Sequence, residues 1–177
     1  MKKEAQAIII TGFMGAGKTT VAAALSRKLC CQMIDLDCYI AERVGRTPQA
    51  IIDEDGEQSF REIEARALSH ALGNGLARVL ALGGGTWTIE SNRALIKAHG
   101  GFTVWLDVPF KVCWGRIKGE SSSRPLGRNF DSARELYDRR RAVYDEARLR
   151  IDATEERSAD EIALEIIAAL LKDNIKA

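Results

Sequence analysis

Eight residues near the start of the chain restrict its fold more than any other feature. Gly12-Phe13-Met14-Gly15-Ala16-Gly17-Lys18-Thr19 satisfies every fixed position of the GxxxxGK[ST] phosphate loop. The residue types have a physical purpose. Glycines let successive backbone N–H groups turn inward around phosphate oxygens, and the helix that follows adds positive potential. Lys18 is placed to reach the outer phosphates, and the Thr19 hydroxyl to ligate Mg²⁺. The flanks agree: Ala7-Ile8-Ile9-Ile10 reads as a buried strand, and Lys18 to Leu29 has helical spacing through Val21, Leu25 and Leu29. A plain glycine-rich strand-to-helix turn would not need Lys and Thr in this register. Gly15, Ala16, Gly17, Lys18, Thr19 and Thr20 are therefore candidate nucleotide-binding residues. The loop does not say what accepts the phosphate.

Short apolar runs and helical stretches alternate along the rest of the chain. Met33–Asp35, Arg78–Leu82, Phe102–Leu106 and Leu149–Asp152 read as further strands. Helices are expected over 37–44, 57–72, 109–117 and 131–148, with Thr47-Pro48 opening another and Ser158 with Glu161 capping the last. Strands separated by helices of this length imply parallel crossovers, hence an α/β fold with a parallel sheet covered on both faces. With 177 residues and no linker or repeat, one domain is expected over 1–177, its core at 7–172. Residues 118–130 are polar and turn-rich and read as a mobile lid.

Composition narrows the ligand. Lys+Arg number 26 and Asp+Glu 25, a formal net charge of +1 that excludes binding to nucleic acid through bulk charge. Yet nine of the 17 Arg fall within 116–150, a local cluster suited to a compact anion. The four cysteines form no CxxC pair and there are only two His, so zinc and disulfide frameworks are poor readings. The thiols are expected to be reduced and buried. No signal or transit peptide and no membrane-length apolar run is evident, so a soluble cytoplasmic protein is expected, with a monomer as the default.

Several residues point to a second ligand. Asp35 and Asp37 follow the second strand, and on an extended chain they would face the same way. One can hold Mg²⁺ and the other orient a hydroxyl nucleophile or take its proton. The competing reading is an Asp helix cap, with Asp35 merely exposed. Gly83-Gly84-Gly85 ends the third strand. It is either a flexible turn or a place where backbone approaches a ligand closely. On the helix 131–148 the inward stripe runs Ala133, Leu136, Tyr137, Arg140, Val143, Tyr144, Ala147, so Arg140 alone breaks an apolar face. A guanidinium there needs an anion, either an internal carboxylate or one on a ligand. Arg139 and Arg141 are expected in solvent. Arg61 lies at the edge of another apolar face, where the competing reading is an exposed helix charge. Two partly buried Arg without a matching surplus of nearby carboxylates hint at a carboxylate substrate. Arg124 and Arg128 lie in the lid, where an Arg can stabilise a transferring phosphoryl group or simply be solvated.

The ordered set GxxGxGKT, DxD, FRxxE (Phe60-Arg61-Glu62-Ile63-Glu64), GGG, a lid Arg124-Pro125-Leu126, and an Arg four residues before Tyr144 resembles the shikimate kinase family over residues 7 to 170. Each short motif is weak except the phosphate loop; their order is specific. The resemblance implies a three-layer αβα fold with a five-stranded parallel sheet of order 2-3-1-4-5. It implies transfer of phosphate from ATP to the 3-hydroxyl of shikimate, a step of aromatic amino-acid synthesis, with Mg²⁺. By position, Asp37 resembles the residue that holds the shikimate hydroxyls and acts as base. Arg61 and Arg140 resemble a carboxylate clamp, with Gly83, Gly84 and Gly85 lining the same pocket and the acceptor region spanning about 37–65. Thr19 and Asp35 resemble the Mg²⁺ site, Arg124 the lid arginine, and Arg116 and Arg157 residues flanking the adenine. Trp87 stands where the family usually has an aliphatic residue. The rival readings are another small-molecule kinase, acting on gluconate or a nucleoside monophosphate, and a silent relative that only binds nucleotide.

Overall fold

A computed structural model describes residues 6–119, 129–154 and 156–176. Five strands, β1 (Ile8–Thr11), β2 (Met33–Asp35), β3 (Val79–Ala81), β4 (Phe102–Asp107) and β5 (Leu149–Asp152), form one sheet in the order β2-β3-β1-β4-β5. Every pairing is parallel, with Ile8 opposite both Val79 and Phe102. All residues of β1, β3 and β4 are buried, on both faces of the pleat. That explains their continuous rather than alternating apolar runs, since helices cover both sides.

The helices are α1 (Lys18–Leu29), α2 (Leu36–Val44), α3 (Pro48–Asp55), α4 (Glu57–Gly73), α5 (Glu90–Ala98), α6 (Phe110–Gly119), α7 (Phe130–Tyr144) and α8 (Ala159–Lys176), with a 3-10 turn at Thr86–Thr88. Caps are where the sequence puts them. Thr47 Oγ1 accepts from the Ala50 N–H at 3.2 Å ahead of Pro48. Ser158 and Glu161 form a reciprocal capping box: Ser158 Oγ accepts from the Glu161 N–H, and Glu161 Oε2 accepts from the Ser158 N–H.

Four expectations need correction. Helix α7 stops at Tyr144 rather than at 148, although the apolar stripe runs on to Ala147. The reason is tertiary: β5 must start at Leu149 beside Val104, and the Arg148 N–H is already bound by Thr103 Oγ1 at 2.9 Å. Helix α5 has no counterpart in the spacing of 86–101; its N-cap is Ile89, which supplies no capping side chain. The cysteines are free, but only Cys113 is buried; Cys30 and Cys38 are exposed. The expected lid shrinks at both ends, because α6 runs to Gly119 and Asn129 caps α7 by accepting from Asp131 and Ser132 N–H groups. Its centre, 120–128, lies outside the described residues.

Candidate functional site

Because all five strands run the same way, their C-terminal ends share one edge of the sheet, where open α/β sheets place ligands. The phosphate loop leaves β1 there. Gly12, Gly15 and Gly17 have φ of 144°, 76° and 83°, a region open to glycine and costly for side chains. A Cβ on Gly15 would also lie 2.7 Å from the Cys113 carbonyl oxygen. Phe13 is buried edge-on against Tyr137 (centroids 5.2 Å apart) and pins the loop to α7. Lys18 Nζ donates to the Gly12 and Phe13 carbonyls, both at 3.0 Å, so its ammonium is held across the loop. Burial pushes the Cys113 thiol, beneath the loop, up to about 11, so it packs as a neutral side chain.

Asp35 and Asp37 do not face the same way, because α2 begins at Leu36 and the chain between them is no longer extended. Asp35 is the N-cap: its Oδ1 accepts from the N–H groups of Asp37 and Cys38, and its Oδ2 accepts from Thr19 Oγ1 at 2.5 Å. A hydroxyl and a carboxylate thus meet at the mouth of the phosphate loop. Asp37 turns toward the triple glycine instead. A Cβ on Gly83 would lie 2.8 Å from its Oδ1.

That crowding explains the three glycines. A Cβ on Gly84 would sit 3.3 Å from the Met14 nitrogen and 3.6 Å from Arg140 Nη1, and one on Gly85 2.6 Å from Arg61 Nη2. None of the three has a positive φ, so they are chosen for space and not for turning. A flexible turn is therefore not what they form. Around them, a pocket of about 160 Å³ is lined by Lys18, Asp37, Arg61, Arg140, the glycines and a floor that includes Met14, Ile52 and Phe60.

Arg140 Nη1 donates to the Gly84 carbonyl at 3.1 Å, and among the described residues no carboxylate is paired with it. Its internal-salt-bridge reading finds no support among the described residues. Arg61 corrects the sequence argument in the other direction, since two carboxylates do hold it: Glu64 at 2.9 Å and Glu57 at 3.0 Å. Burial works against its charge, but Glu64 and then Glu57 outweigh this and keep the guanidinium protonated. Glu64 escaped residue-by-residue reading. It is fully buried, accepting from Arg61 Nη1 and from Thr86 Oγ1 at 2.6 Å, and so ties α4 to the loop after β3. Only its place in FRxxE singles it out; a Glu in a helix is otherwise a surface residue. Arg141 is exposed, as expected, yet it has a partner. It pairs with Asp107 at 2.7 Å and lies over Trp105, with Arg150 on the same carboxylate. Trp87 does not line the pocket; it is buried behind, donating from Nε1 to the Val143 carbonyl at 3.0 Å.

A second pocket, about 260 Å³, opens on the other side of the loop. Gly15, Ala16, Gly17, Thr20, Arg116 and Arg157 line it. Arg116 Nη1 donates to the Gly15 carbonyl at 3.0 Å, and Arg157 is fixed by the Asp152 carbonyl and Glu165. The candidate residues for base and phosphate therefore come together, apart from the candidate acceptor residues, which share their pocket with Lys18. Arg124 and Arg128 lie outside the described residues.

Residues 14–171 match the family model described as shikimate kinase. The chain belongs to the shikimate kinase family. It is 36% identical over 166 residues to the shikimate kinase of Ruegeria pomeroyi, covering 92% of this chain and 84% of that one. The shikimate kinase of Acinetobacter baumannii, solved in complex with shikimate, superposes with a TM-score of 0.88 at 31% identity, over 97% and 96% of the two chains. A gluconokinase from Sinorhizobium meliloti shares the fold at a TM-score of 0.57 and 18% identity, over 97% and 96%. The sheet order expected of a shikimate kinase is the one observed.

Proposed function

We propose that this shikimate kinase transfers the γ-phosphoryl group of ATP to the 3-hydroxyl of shikimate, yielding shikimate 3-phosphate in aromatic amino-acid synthesis. The observation that carries the reading is the acceptor pocket: one phosphate-loop ammonium, one carboxylate and two guanidiniums converge on a glycine turn with no room for a side chain. A small acid bearing several hydroxyls matches that set. Arg140 and Arg61 clamp the acceptor carboxylate from α7 and α4. Asp37, beside Gly83, accepts hydrogen bonds from the ring hydroxyls and takes the proton of the attacking one. Gly83, Gly84 and Gly85 let the ring approach the backbone.

On the donor side, Gly15, Ala16, Gly17, Thr19 and Thr20 take the phosphates, while Arg116 and Arg157 flank the base. Lys18, on the phosphate loop and in the lining of the acceptor pocket, stabilises charge on the group in transfer. Thr19 and Asp35 would hold Mg²⁺; their two oxygens, already 2.5 Å apart at the loop mouth, are the hard donors that ion takes. The metal would neutralise charge on the phosphates. Arg124, which lies outside the described residues, is assigned to the phosphates by the family resemblance alone. The same reading makes the protein a cytoplasmic monomer; its near-neutral charge supports no polyanionic partner, and no described helix is long and apolar enough to cross a membrane.

Phosphorus NMR of the product tests this reading. One new monoester, coupled to the proton on C3 of shikimate, is expected, and no product with Lys18→Met, which leaves the fold intact. A monoester on another hydroxyl, or unchanged turnover by Lys18→Met, would contradict the assignment.

A further inference from the structure

Arg140 and Tyr144 stand one turn apart on α7 and aim at the same atom. The Tyr144 hydroxyl donates to the Gly84 carbonyl oxygen at 2.5 Å, and Arg140 Nη1 donates to it at 3.1 Å. A carbonyl oxygen has two lone pairs, so the two donors saturate it. Tyr144 is 1% exposed, its ring tilted against Trp105 with centroids 6.1 Å apart. Its neighbours on α7 fasten the adjoining backbone. The Val143 carbonyl accepts from Trp87, while Arg93 joins the Trp87 carbonyl to Glu146, both at 3.0 Å. The end of α7 and the glycine turn are therefore one rigid body at this point. Within it, Arg140 is the member that must also reach a ligand.

We infer that Tyr144 is a positioning residue: its hydroxyl fixes the Gly84 carbonyl and thereby sets where Arg140 presents its remaining N–H groups to the acceptor carboxylate. Without that hydroxyl the carbonyl would keep one donor, and the guanidinium would be drawn toward the lone pair left open. The clamp would then meet the carboxylate at the wrong angle, which a bidentate contact tolerates poorly. Burial raises the phenol above its ordinary range, against a smaller opposing effect of Arg140. Burial thus favours the neutral, hydrogen-bond-donating form of Tyr144.

The inference rests on the acceptor reading proposed above. The test is Tyr144→Phe, which removes one oxygen and keeps the ring. One hydrogen bond of this kind is worth about 1 kcal/mol net, so KM for shikimate should rise roughly five- to ten-fold. KM for ATP should stay within about two-fold. In an Arg140→Ala background the same change should add nothing further, because the residue it positions is gone. Equal rises in both KM values, an unchanged shikimate KM, or a full additional loss beside Arg140→Ala would each overturn the inference. A merely structural role would lower the melting temperature while leaving the ratio of the two KM values unchanged. If the wild-type protein neither turns over nor binds shikimate, the acceptor reading fails and this inference with it. Wild-type turnover with an unaffected variant removes the inference alone.

Discussion

At Gly83, Gly84 and Gly85 a side chain would strike a carboxylate oxygen, a loop nitrogen and a guanidinium in turn, so these residues are glycine for the sake of their neighbours. Gly85→Ala should therefore displace Arg61, whose Nη2 would lie 2.6 Å from the new carbon. The expected result is a roughly ten-fold or greater rise in KM for the acceptor, with KM for ATP nearly unchanged; parallel steady-state titrations of both substrates check it. Arg140→Ala should follow the same pattern more strongly, by about 100-fold, because a charged hydrogen-bonded contact is lost. Equal losses for both substrates would refute its placement. Arg140 was legible in the sequence because a single cation interrupted an apolar stripe. Glu64 was not, because burial of a helical carboxylate depends on Thr86 and Arg61 arriving from elsewhere in the fold. The direction of Asp35 and Asp37 was misread for a related reason: whether two residues share a face depends on where the strand ends, and here it ends at Asp35.

Elements were legible wherever a cap or an unbroken apolar run marked them. The range Lys18–Leu29 and the strands Met33–Asp35 and Leu149–Asp152 emerge as read. Helix α5 and the early end of α7 lack such marks: one begins without a capping side chain, and the other is ended by strand pairing. The capping box of α8 carries a pH prediction. The Ser158 N–H and then its hydroxyl hold the Glu161 carboxyl below its ordinary value of 4.5. A group whose pKa is depressed on folding stabilises above its unfolded value and loses that contribution as pH falls through the folded one. Thermal unfolding from pH 7 downward should show wild type and Glu161→Gln converging as the pH falls through and below the ordinary value of 4.5. A stability gap that persists unchanged at pH 3 would mean the charge of Glu161 is not what caps α8.

For the whole molecule, the parallel sheet does the arranging. It collects the phosphate loop, the Asp37 helix and the glycine turn at one edge, and the loop contributes to two pockets, the proposed acceptor and donor sites. Because the clamp residues come from α4 and α7, far apart in sequence, acceptor binding should stabilise the folded chain as a unit. At about 100 times its dissociation constant, shikimate should contribute about 2.7 kcal/mol, a rise of roughly 5–10 °C in melting temperature for a chain of this size. Arg140→Ala should abolish most of that rise at the same concentration. The order of the strands was readable from the motif set. That Lys18 lies in one pocket with Arg61 and Arg140, while Arg116 and Arg157 line another, needed the tertiary structure.

The account turns on the identity of the acceptor. The most direct measurement mixes the protein with ATP and Mg²⁺ and follows ADP release with shikimate, gluconate, AMP, CMP or no acceptor. The account predicts ADP release that depends on shikimate and stays at the background rate with each of the others. Release driven by a different acceptor would keep the kinase and discard the acceptor roles proposed for Arg61, Arg140 and Asp37. Silence with every acceptor, in protein shown to bind ATP, would leave a nucleotide-binding relative without catalysis.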